Sequence, residues 1–194
     1  MNTFAFFDFD GTITKHDTFL LFGRHALGTP RFILSLVLCS PWLLAWKAGL
    51  ISNSAAKEKL FSFLFRGKSL GWFSQRCHTF ADTIDSDLRP DIMERLLWHL
   101  RKDHKVAIVS ASVADWILPW AERHGIKDVI STEIELDNHG CLTGRFSTPN
   151  CHGEEKVRRI VKAFPLNVES ETYAYGDSKG DDAMLNFVSH PVRV

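Results

Sequence analysis

Four short apolar segments, each ending in small or acidic residues, constrain the fold of this sequence more than any other feature. They occupy residues 3–9, 105–112, 127–132 and 172–178, and helical patterns cover residues 89–104, 113–125 and 154–164. Strands that alternate with helices of this length indicate a parallel sheet with helices on both faces. The sequence therefore predicts an α/β fold with a doubly wound, mostly parallel sheet.

Residues 15–86 interrupt this alternation, because they contain no convincing strand and resemble several successive helices rich in Leu, Phe and Trp. We predict that they form an all-helical cap inserted after strand one, and that residues 1–14 and 87–194 form the core. Ligands of open parallel sheets bind at the carboxyl ends of the strands, so a cap leaving from that edge would lie over the site. Residues 133–146 also break the pattern and predict a hairpin that turns at 138–140.

Charge and cysteine content exclude several classes of function. The 23 basic and 23 acidic residues balance, which argues against a nucleic-acid partner. The four cysteines are widely spaced and form no Cys-x-x-Cys pair, which argues against a structural zinc site and a disulfide framework. The first residues lack the basic start and cleavage site of a signal peptide. We therefore expect a cytoplasmic protein.

Acidic residues gather where the predicted strands end. In "FFDFDGT", Asp8 and Asp10 stand two positions apart, so in a strand they would point to the same face. Asp177 and Asp181 follow the strand at 172–178, whose carboxyl end should lie at the same edge. Four carboxylates would raise one another's pKa values unless a cation bound among them. Oxygen ligands of this kind favour Mg²⁺.

A carboxylate beside a bound phosphate has a direct chemical use. An aspartate can attack phosphorus and form an aspartyl-phosphate, and a second aspartate can protonate the leaving alkoxide and then activate water. The phosphoryl oxygens need hydrogen-bond donors in the transition state. Ser110, which lies near the end of the strand at 105–112, and Lys156 in "CHGEEKV" are the candidates.

The order of these segments resembles a known family. "DFDGT", a serine at the end of an apolar strand, a lysine at the start of a helix and "GDSKGDDAML" are similar to the four motifs of the haloacid dehalogenase superfamily of phosphatases. A helical insertion directly after the first motif resembles the phosphoserine-phosphatase type of that superfamily. The resemblance covers nearly the whole chain.

The resemblance implies a role for each motif residue. Asp8 would be the nucleophile and Asp10 the general acid and base, while Ser110 and Lys156 would hold the phosphoryl group.

The same resemblance implies Mg²⁺ as the cofactor. Asp8, Asp177 and the backbone carbonyl of Asp10 would bind the ion, and Asp181 would support it directly or through water. Gly11 would let the chain turn with a positive φ.

One departure bears on the substrate. Phosphoserine phosphatases carry a cap glutamate seven positions after the second aspartate, where this chain has the shorter Asp17. Asp17 is therefore a candidate for substrate specificity. "DGTITKHDTF", the apolar cap and "CHGEEKV" are more similar to the branch that includes bacterial phosphatidylglycerophosphate phosphatases. The expected substrate is a small or lipid-linked phosphomonoester.

The segment 32–46 carries no charge and is apolar on every side of a helix. Pro41 predicts a kink or break, and the segment is shorter than the roughly 30 Å that a membrane span needs. Our preferred interpretation is that these helices pack against each other and the core. The alternative is peripheral contact with the inner face of the membrane, anchored by Trp42 and Trp46. Burial in a dimer is a third possibility.

Other interpretations of the individual motifs stay open at this point. Ser110 or Ser112 alone could cap a helix, and Lys162 or Lys127 could replace Lys156. His152, close to Lys156, could approach substrate. The whole chain could also be a non-catalytic binding module, a phosphotransferase or a phosphonatase.

Overall fold

A computed structural model describes residues 2–194, and within them seven strands and eight α-helices follow one another. The strands are β1 (Thr3–Phe7), β2 (Lys105–Val113), β3 (Asp128–Thr132), β4 (Ile134–Leu136), β5 (Leu142–Phe146), β6 (Glu171–Gly176) and β7 (His190–Arg193). The helices are α1 (Thr18–Leu27), α2 (Thr29–Lys47), α3 (Asn53–Phe65), α4 (Leu70–Ile84), α5 (Pro90–Arg101), α6 (Ala114–Arg123), α7 (Glu154–Ala163) and α8 (Asp182–Phe187).

Five strands form one parallel sheet in the order β3-β2-β1-β6-β7. The central strand β1 is apolar throughout because both of its faces are covered. Ala5 and Phe7 point into one buried cluster, while Phe4 and Phe6 point into another on the opposite face. The predicted α/β fold with a mostly parallel sheet is confirmed. Since β1 lies between β2 and β6, the carboxyl ends of these three strands meet at one edge.

The segment that breaks the alternation is a hairpin, as predicted. Strands β4 and β5 pair antiparallel, and the Asp137 carboxylate accepts the backbone N–H groups of His139 at 2.8 Å and Cys141 at 2.9 Å. The hairpin packs against α3, where the rings of Phe146 and Phe61 lie 5.0 Å apart. This contact joins the helical region to the core.

Helices α1 to α4, which we call the helical insertion, follow β1. Their buried side chains belong to the same cluster as one face of the sheet. Phe22 of α1 stacks on Trp116 of α6 with ring centroids 4.7 Å apart, and Phe19 meets the same indole edge-on at 5.9 Å. The insertion is therefore packed directly against the core. The division of the chain into a core (1–14 plus 87–194) and a cap (15–86) stays a prediction.

Helix α2 runs without interruption from Thr29 to Lys47, so the helix does not break at Pro41 and a kink is the part of our expectation that stays a prediction. Proline has no N–H, so the carbonyl of Val37 loses its usual helical partner. The hydroxyl of Ser40 donates to that carbonyl at 2.7 Å. A neighbouring side chain thus satisfies the acceptor that the proline leaves free.

Our preferred interpretation of residues 32–46 holds for one side of α2 only: Phe32 and Leu36 belong to or pack against the main buried cluster, while much of the remaining apolar surface is exposed. Only Phe32 and Cys39 are buried in α2. The side chains of Val37 and Leu44 are 61% and 66% exposed. The length argument from the sequence needs correction as well, because α2 extends beyond residues 32–46. Among the helices within residues 2–194, α2 is long and apolar enough to cross a membrane by length and composition alone, and 11% of its most apolar window is buried.

Candidate functional site

The predicted site residues other than Ser110 meet in a cavity of about 680 Å³ at the carboxyl edge of the sheet. Its walls include four of the predicted carboxylates and the predicted lysine: Asp8, Asp10, Asp177, Asp181 and Lys156. The cavity therefore gathers side chains from β1, β6 and α7, or from the residues next to them, which lie far apart in the sequence. Asp17, at the start of the helical insertion, completes the acidic lining.

Lys156 forms the centre of a buried ion-pair network. Its Nζ donates to Asp8 Oδ1 at 2.6 Å, to Asp181 Oδ1 at 2.6 Å and to the carbonyl of Val109 at 2.7 Å. Asp8 is 6% exposed, and Lys156 and Asp181 are each 1% exposed. All three protons of the ammonium group thus have acceptors, which burial of a charge requires.

Burial sets the protonation of this network. Burial raises the pKa of Asp8 to about 7. The charges of Asp181 and Asp10 also raise this pKa, while the Lys156 ammonium group lowers it. For Lys156, burial alone would lower the pKa, but the two carboxylates outweigh it and the pKa is raised. A divalent cation near Asp8 would favour its ionised form again. The site therefore favours a further positive charge beside Asp8.

The Asp10 carboxylate accepts hydrogen bonds from two different elements, α1 and β2. Its Oδ1 accepts the backbone N–H of Thr18 at 2.7 Å and also the Thr18 hydroxyl, and its Oδ2 accepts the hydroxyl of Ser112. The indole N–H of Trp116 donates to the Thr18 hydroxyl at 3.2 Å. Our sequence reasoning missed Thr18, and it treated Ser112 only as a possible helix cap. No pattern in the sequence marks either hydroxyl as a partner of Asp10.

Ser110 is fully buried behind the cavity, next to the lining residue Ala111. Its hydroxyl accepts the backbone N–H of Ser112 at 3.0 Å. Ser110 and Ser112 do not cap α6, because strand β2 continues as far as Val113. Val113 is the residue at the N-cap of α6, and its side chain makes no capping hydrogen bond. The structure thus brings Ser110 to the predicted edge of the sheet.

The acidic residues fit a hard cation. One carboxylate oxygen from each of Asp8, Asp177 and Asp181 lies within 4.8 Å of the others. Within residues 2–194, Asp177 Oδ1 is the buried side-chain oxygen or nitrogen that has no hydrogen-bond partner. A buried acceptor without a donor is costly unless an ion or water satisfies it. These oxygens are the ligands that Mg²⁺ prefers.

The charge balance of the lining leads to the same conclusion. Five carboxylates and three ammonium groups line the cavity: Asp8, Asp10, Asp17, Asp177, Asp181, Lys15, Lys57 and Lys156. With all of them ionised, two negative charges are in excess. Burial, together with the charge of Asp181, raises the pKa of Asp177. A divalent cation would neutralise this excess.

Lys57 of α3 is a cavity residue that sequence reasoning missed. Its Nζ donates to the carbonyl of Ala111 at 2.8 Å and lies 5.4 Å from the centre of the Phe19 ring. Burial lowers its pKa, and the carboxylates of Asp10 and Asp17 offset part of that effect. A lysine within a predicted helix carries no signal of such a role. Lys57 brings a positive charge from the insertion to the strand ends.

Asp17 and His152 also line the cavity. Asp17 caps α1, where its carboxylate accepts the backbone N–H of Phe19 at 2.8 Å. Burial and the charge of Asp10 raise its pKa. His152 packs against Gly180, where the β-carbon of any larger residue would approach the ring nitrogen Nε2 to 2.6 Å. Both residues are thus placed to meet a bound ligand.

One wall of the cavity is apolar. It is formed by side chains of the helical insertion: Leu20, Leu36, Leu43, Trp46, Ala56 and Leu60. The carboxylates and lysines described above line the rest of the cavity. The cavity therefore suits a ligand that has both an anionic group and an apolar body.

The comparisons with known proteins agree with this geometry. A family model described as haloacid dehalogenase-like hydrolase matches residues 5–186. Protein CicA of Caulobacter vibrioides is 31% identical over 184 residues, which cover 92% of this chain and 80% of that protein. A phosphoserine phosphatase of Mycobacterium tuberculosis is 27% identical over 199 residues, which cover 98% of this chain and 64% of that protein.

A solved structure supports the fold independently. The crystal structure of a protein of unknown function from Bordetella pertussis Tohama I superposes with a TM-score of 0.83 at 24% identity, covering 100% of this chain and 90% of that one. The family match spans the strand ends that carry the site residues and, in whole or in part, four of the five strands of the sheet, leaving out β7. The chain belongs to the haloacid dehalogenase-like hydrolase family.

Proposed function

We propose that this protein is a Mg²⁺-dependent phosphomonoester hydrolase that works through an aspartyl-phosphate intermediate. The observation that carries the proposal is the buried carboxylate of Asp8, paired with Lys156 at 2.6 Å in a cavity that also holds Asp10 and Asp177. Membership of a hydrolase family supports the reaction class. The phosphoserine phosphatase among the relatives supports phosphate esters as substrates.

The first step uses two aspartates, one to attack phosphorus and one to transfer a proton. A carboxylate oxygen of Asp8 attacks phosphorus, the new O–P bond forms and the bond to the ester oxygen breaks. Asp10, in its protonated form, gives its proton to the leaving alkoxide. The donors from Thr18 and Ser112 fix the Asp10 carboxyl group in place. The alcohol then leaves, and the phosphoryl group stays on Asp8.

The second step reverses the proton transfer. Asp10, now a carboxylate, takes a proton from water while the water oxygen attacks phosphorus. The bond between phosphorus and Asp8 breaks, and inorganic phosphate is released. Lys156 and Ser110 are proposed to stabilise the charge on the phosphoryl oxygens during both steps.

Mg²⁺ would be held by the side chains of Asp8 and Asp177 and the backbone carbonyl of Asp10, with support from Asp181. When bound, it would neutralise charge on the phosphoryl oxygens and orient the phosphate. The unpartnered Asp177 Oδ1 and the excess of acidic residues in the cavity support this assignment.

Metal removal tests the proposal. We expect hydrolysis of p-nitrophenyl phosphate to fall by about 10²-fold or more in a chelator, because the metal supplies several kcal/mol of charge stabilisation. Added Mg²⁺ should restore the rate. Hydrolysis that continues undiminished after exhaustive chelation would contradict the proposed metal. Mg²⁺ binding by calorimetry without turnover of any phosphomonoester would favour a binding module instead.

Gly11→Ala gives a second test of the cation site. A β-carbon at Gly11 would lie 2.4 Å from Asp177 Oδ2, so the Asp177 carboxylate must move. We expect Mg²⁺ affinity measured by calorimetry to fall by about 10-fold or more, as for other displaced supporting groups. Gly49→Ala is the matched control, because Gly49 also has a positive φ but no atom within 4 Å of the added carbon.

Both glycine variants should lose about 1–2 kcal/mol of unfolding free energy, since each places alanine at positive φ. Only Gly11→Ala should change Mg²⁺ affinity. Equal Mg²⁺ affinities in the two variants would remove Asp177 from the proposed site.

Lipid-linked phosphomonoesters are a second candidate within this class, favoured by the apolar cavity wall that includes Leu36, Leu43 and Trp46. Phosphatidylglycerophosphate, the substrate of the branch that the sequence resembles, belongs to this group. Serine phosphate is the competing small substrate. To decide between these two substrates, kcat/KM is measured for serine phosphate and for phosphatidylglycerophosphate in mixed micelles. Higher kcat/KM with serine phosphate would exclude the lipid candidate.

A further inference from the structure

Helix α2 presents an exposed apolar surface that the fold does not use. Ile33, Leu34, Val37 and Leu38 lie on one side of the helix by their spacing, and each is more than half exposed. Leu44, near the end of the helix, and Leu50, just beyond it, are also exposed, at 66% and 78%. We call this surface the α2 face. Monomeric soluble proteins rarely leave a contiguous apolar patch of this kind without a partner.

The other side of α2 is packed against the protein. Phe32 and Cys39 are buried in the main cluster, and Leu36 and Leu43 pack against it. The helix thus lies flat on the surface of the insertion, with one side inward and the other outward. This is the orientation of a helix that rests in the plane of a membrane interface.

The charges on α2 and on the segments next to it in sequence have one sign, and the first acidic residue after them, Glu58 of α3, accepts the backbone N–H of Phe146 in the hairpin at 3.1 Å. Between residues 18 and 57 the sequence contains no aspartate or glutamate, although the whole chain has 23 acidic and 23 basic residues. Arg31 and Lys47 are exposed near the two ends of α2. Lys59 lies 4.7 Å from the centre of the Trp42 ring. The α2 face is therefore flanked by cations, which complements an anionic lipid surface.

The same helix lines the cavity. Leu36, Leu43 and Trp46 of α2 form part of the apolar wall, while Trp42 and Trp46 are 37% and 41% exposed. Tryptophan is enriched at the level of lipid headgroups. The cavity and the α2 face thus adjoin each other along one helix.

A second copy of the chain fits this surface less well. A symmetric dimer through α2 would bring Arg31 and Lys47 of both copies to one interface, and residues 18–57 contain no carboxylate to pair with them. An anionic bilayer supplies the missing negative charge.

From these observations we infer that the α2 face docks on an anionic membrane surface and holds the cavity against the lipid headgroups. The docking depends only on α2 and its flanking cations. Its link to substrate rests on the proposed function, because the headgroup phosphate would enter the cavity while the acyl chains stay near the apolar wall. The protein would therefore take its substrate from the bilayer.

Vesicle sedimentation tests the docking. We expect the full chain to sediment with vesicles of phosphatidylcholine and phosphatidylglycerol, and much less with phosphatidylcholine alone or in high salt. The double variant Leu34→Gln/Leu38→Gln should bind at least ten-fold more weakly. Its matched control is Leu97→Gln/Val161→Gln, which replaces apolar residues that are 41% and 54% exposed elsewhere. This control should bind like the unchanged protein.

No sedimentation with anionic vesicles, or equal binding by the two double variants, would overturn the inference. A dimer in analytical ultracentrifugation that Leu34→Gln/Leu38→Gln converts to monomers would assign the face to a second copy and would also overturn it. Hydrolysis of soluble p-nitrophenyl phosphate separates docking from chemistry, because neither leucine lines the cavity. If the protein hydrolyses p-nitrophenyl phosphate but does not sediment with anionic vesicles, only this inference is overturned. If it sediments with the vesicles but hydrolyses no phosphomonoester, only the proposed function is overturned.

Discussion

Asp8→Asn should reduce kcat for phosphomonoester hydrolysis by about 10³-fold or more, because an amide cannot replace the attacking carboxylate. The shape of the side chain is kept, and Lys156 retains its bonds to Asp181 at 2.6 Å and to Val109 at 2.7 Å. The measurement is steady-state hydrolysis with saturating Mg²⁺, together with circular dichroism to establish that the variant is folded. The expected result is therefore a folded protein without turnover.

Asp128→Asn is the control for this substitution. Asp128 begins strand β3 of the same sheet and is exposed, so its replacement should leave kcat within about two-fold of the unchanged protein, as surface changes have small effects. A folded Asp8→Asn protein with full activity would exclude Asp8 as the nucleophile. Mass spectrometry of the unchanged protein quenched during turnover should find the phosphoryl group on Asp8.

Lys156→Met should lower the unfolding free energy by about 3–5 kcal/mol, the range for breaking a buried ion pair by removing one partner. The carboxylates of Asp8 and Asp181 would then face each other in a buried site without their shared ammonium group. Methionine keeps most of the side-chain volume, so the loss would come from charge. Urea unfolding in the presence of a chelator measures it.

Lys162→Met is the matched control, because Lys162 lies exposed on the same helix α7. Its effect should stay within about 0.5 kcal/mol. If Lys156→Met leaves too little folded protein, Lys156→Met/Asp181→Asn should recover part of the stability by removing one unpaired charge. Similar unfolding free energies for Lys156→Met and Lys162→Met would show that the network does not stabilise the fold.

Much of the site could be predicted because parallel strands end at the same edge of a sheet. The apolar segments located β1, β2 and β6 and put Asp8 and Asp177 at the same edge, while the structure adds that β6 lies directly beside β1. Lys156 followed from its place between two of these motifs, and the structure puts it within 2.6 Å of Asp8. Motifs at strand ends are therefore informative even when they are far apart in sequence.

The contributions of the helical insertion could not be predicted in the same way. Lys57 reaches the strand ends from α3, which packs against the hairpin, and no local pattern encodes these contacts between distant segments. The apolar sequence of α2 was equally uninformative about orientation, because a helix that is apolar on all sides does not reveal which side is buried. The continuity of α2 through Pro41 could not be predicted, since the compensating bond from Ser40 depends on a side-chain rotamer.

The two oxygens of Asp10 are held by different parts of the chain. Thr18, the first residue of α1, supplies both donors to Oδ1, while Ser112 near the end of β2 supplies the donor to Oδ2. The orientation of this carboxyl group therefore depends on how the helical insertion sits on the sheet. A substitution that disturbed the packing of α1 on the core, for example at the Phe22–Trp116 stack, would reach the proposed proton transfer without touching any residue that contacts phosphorus.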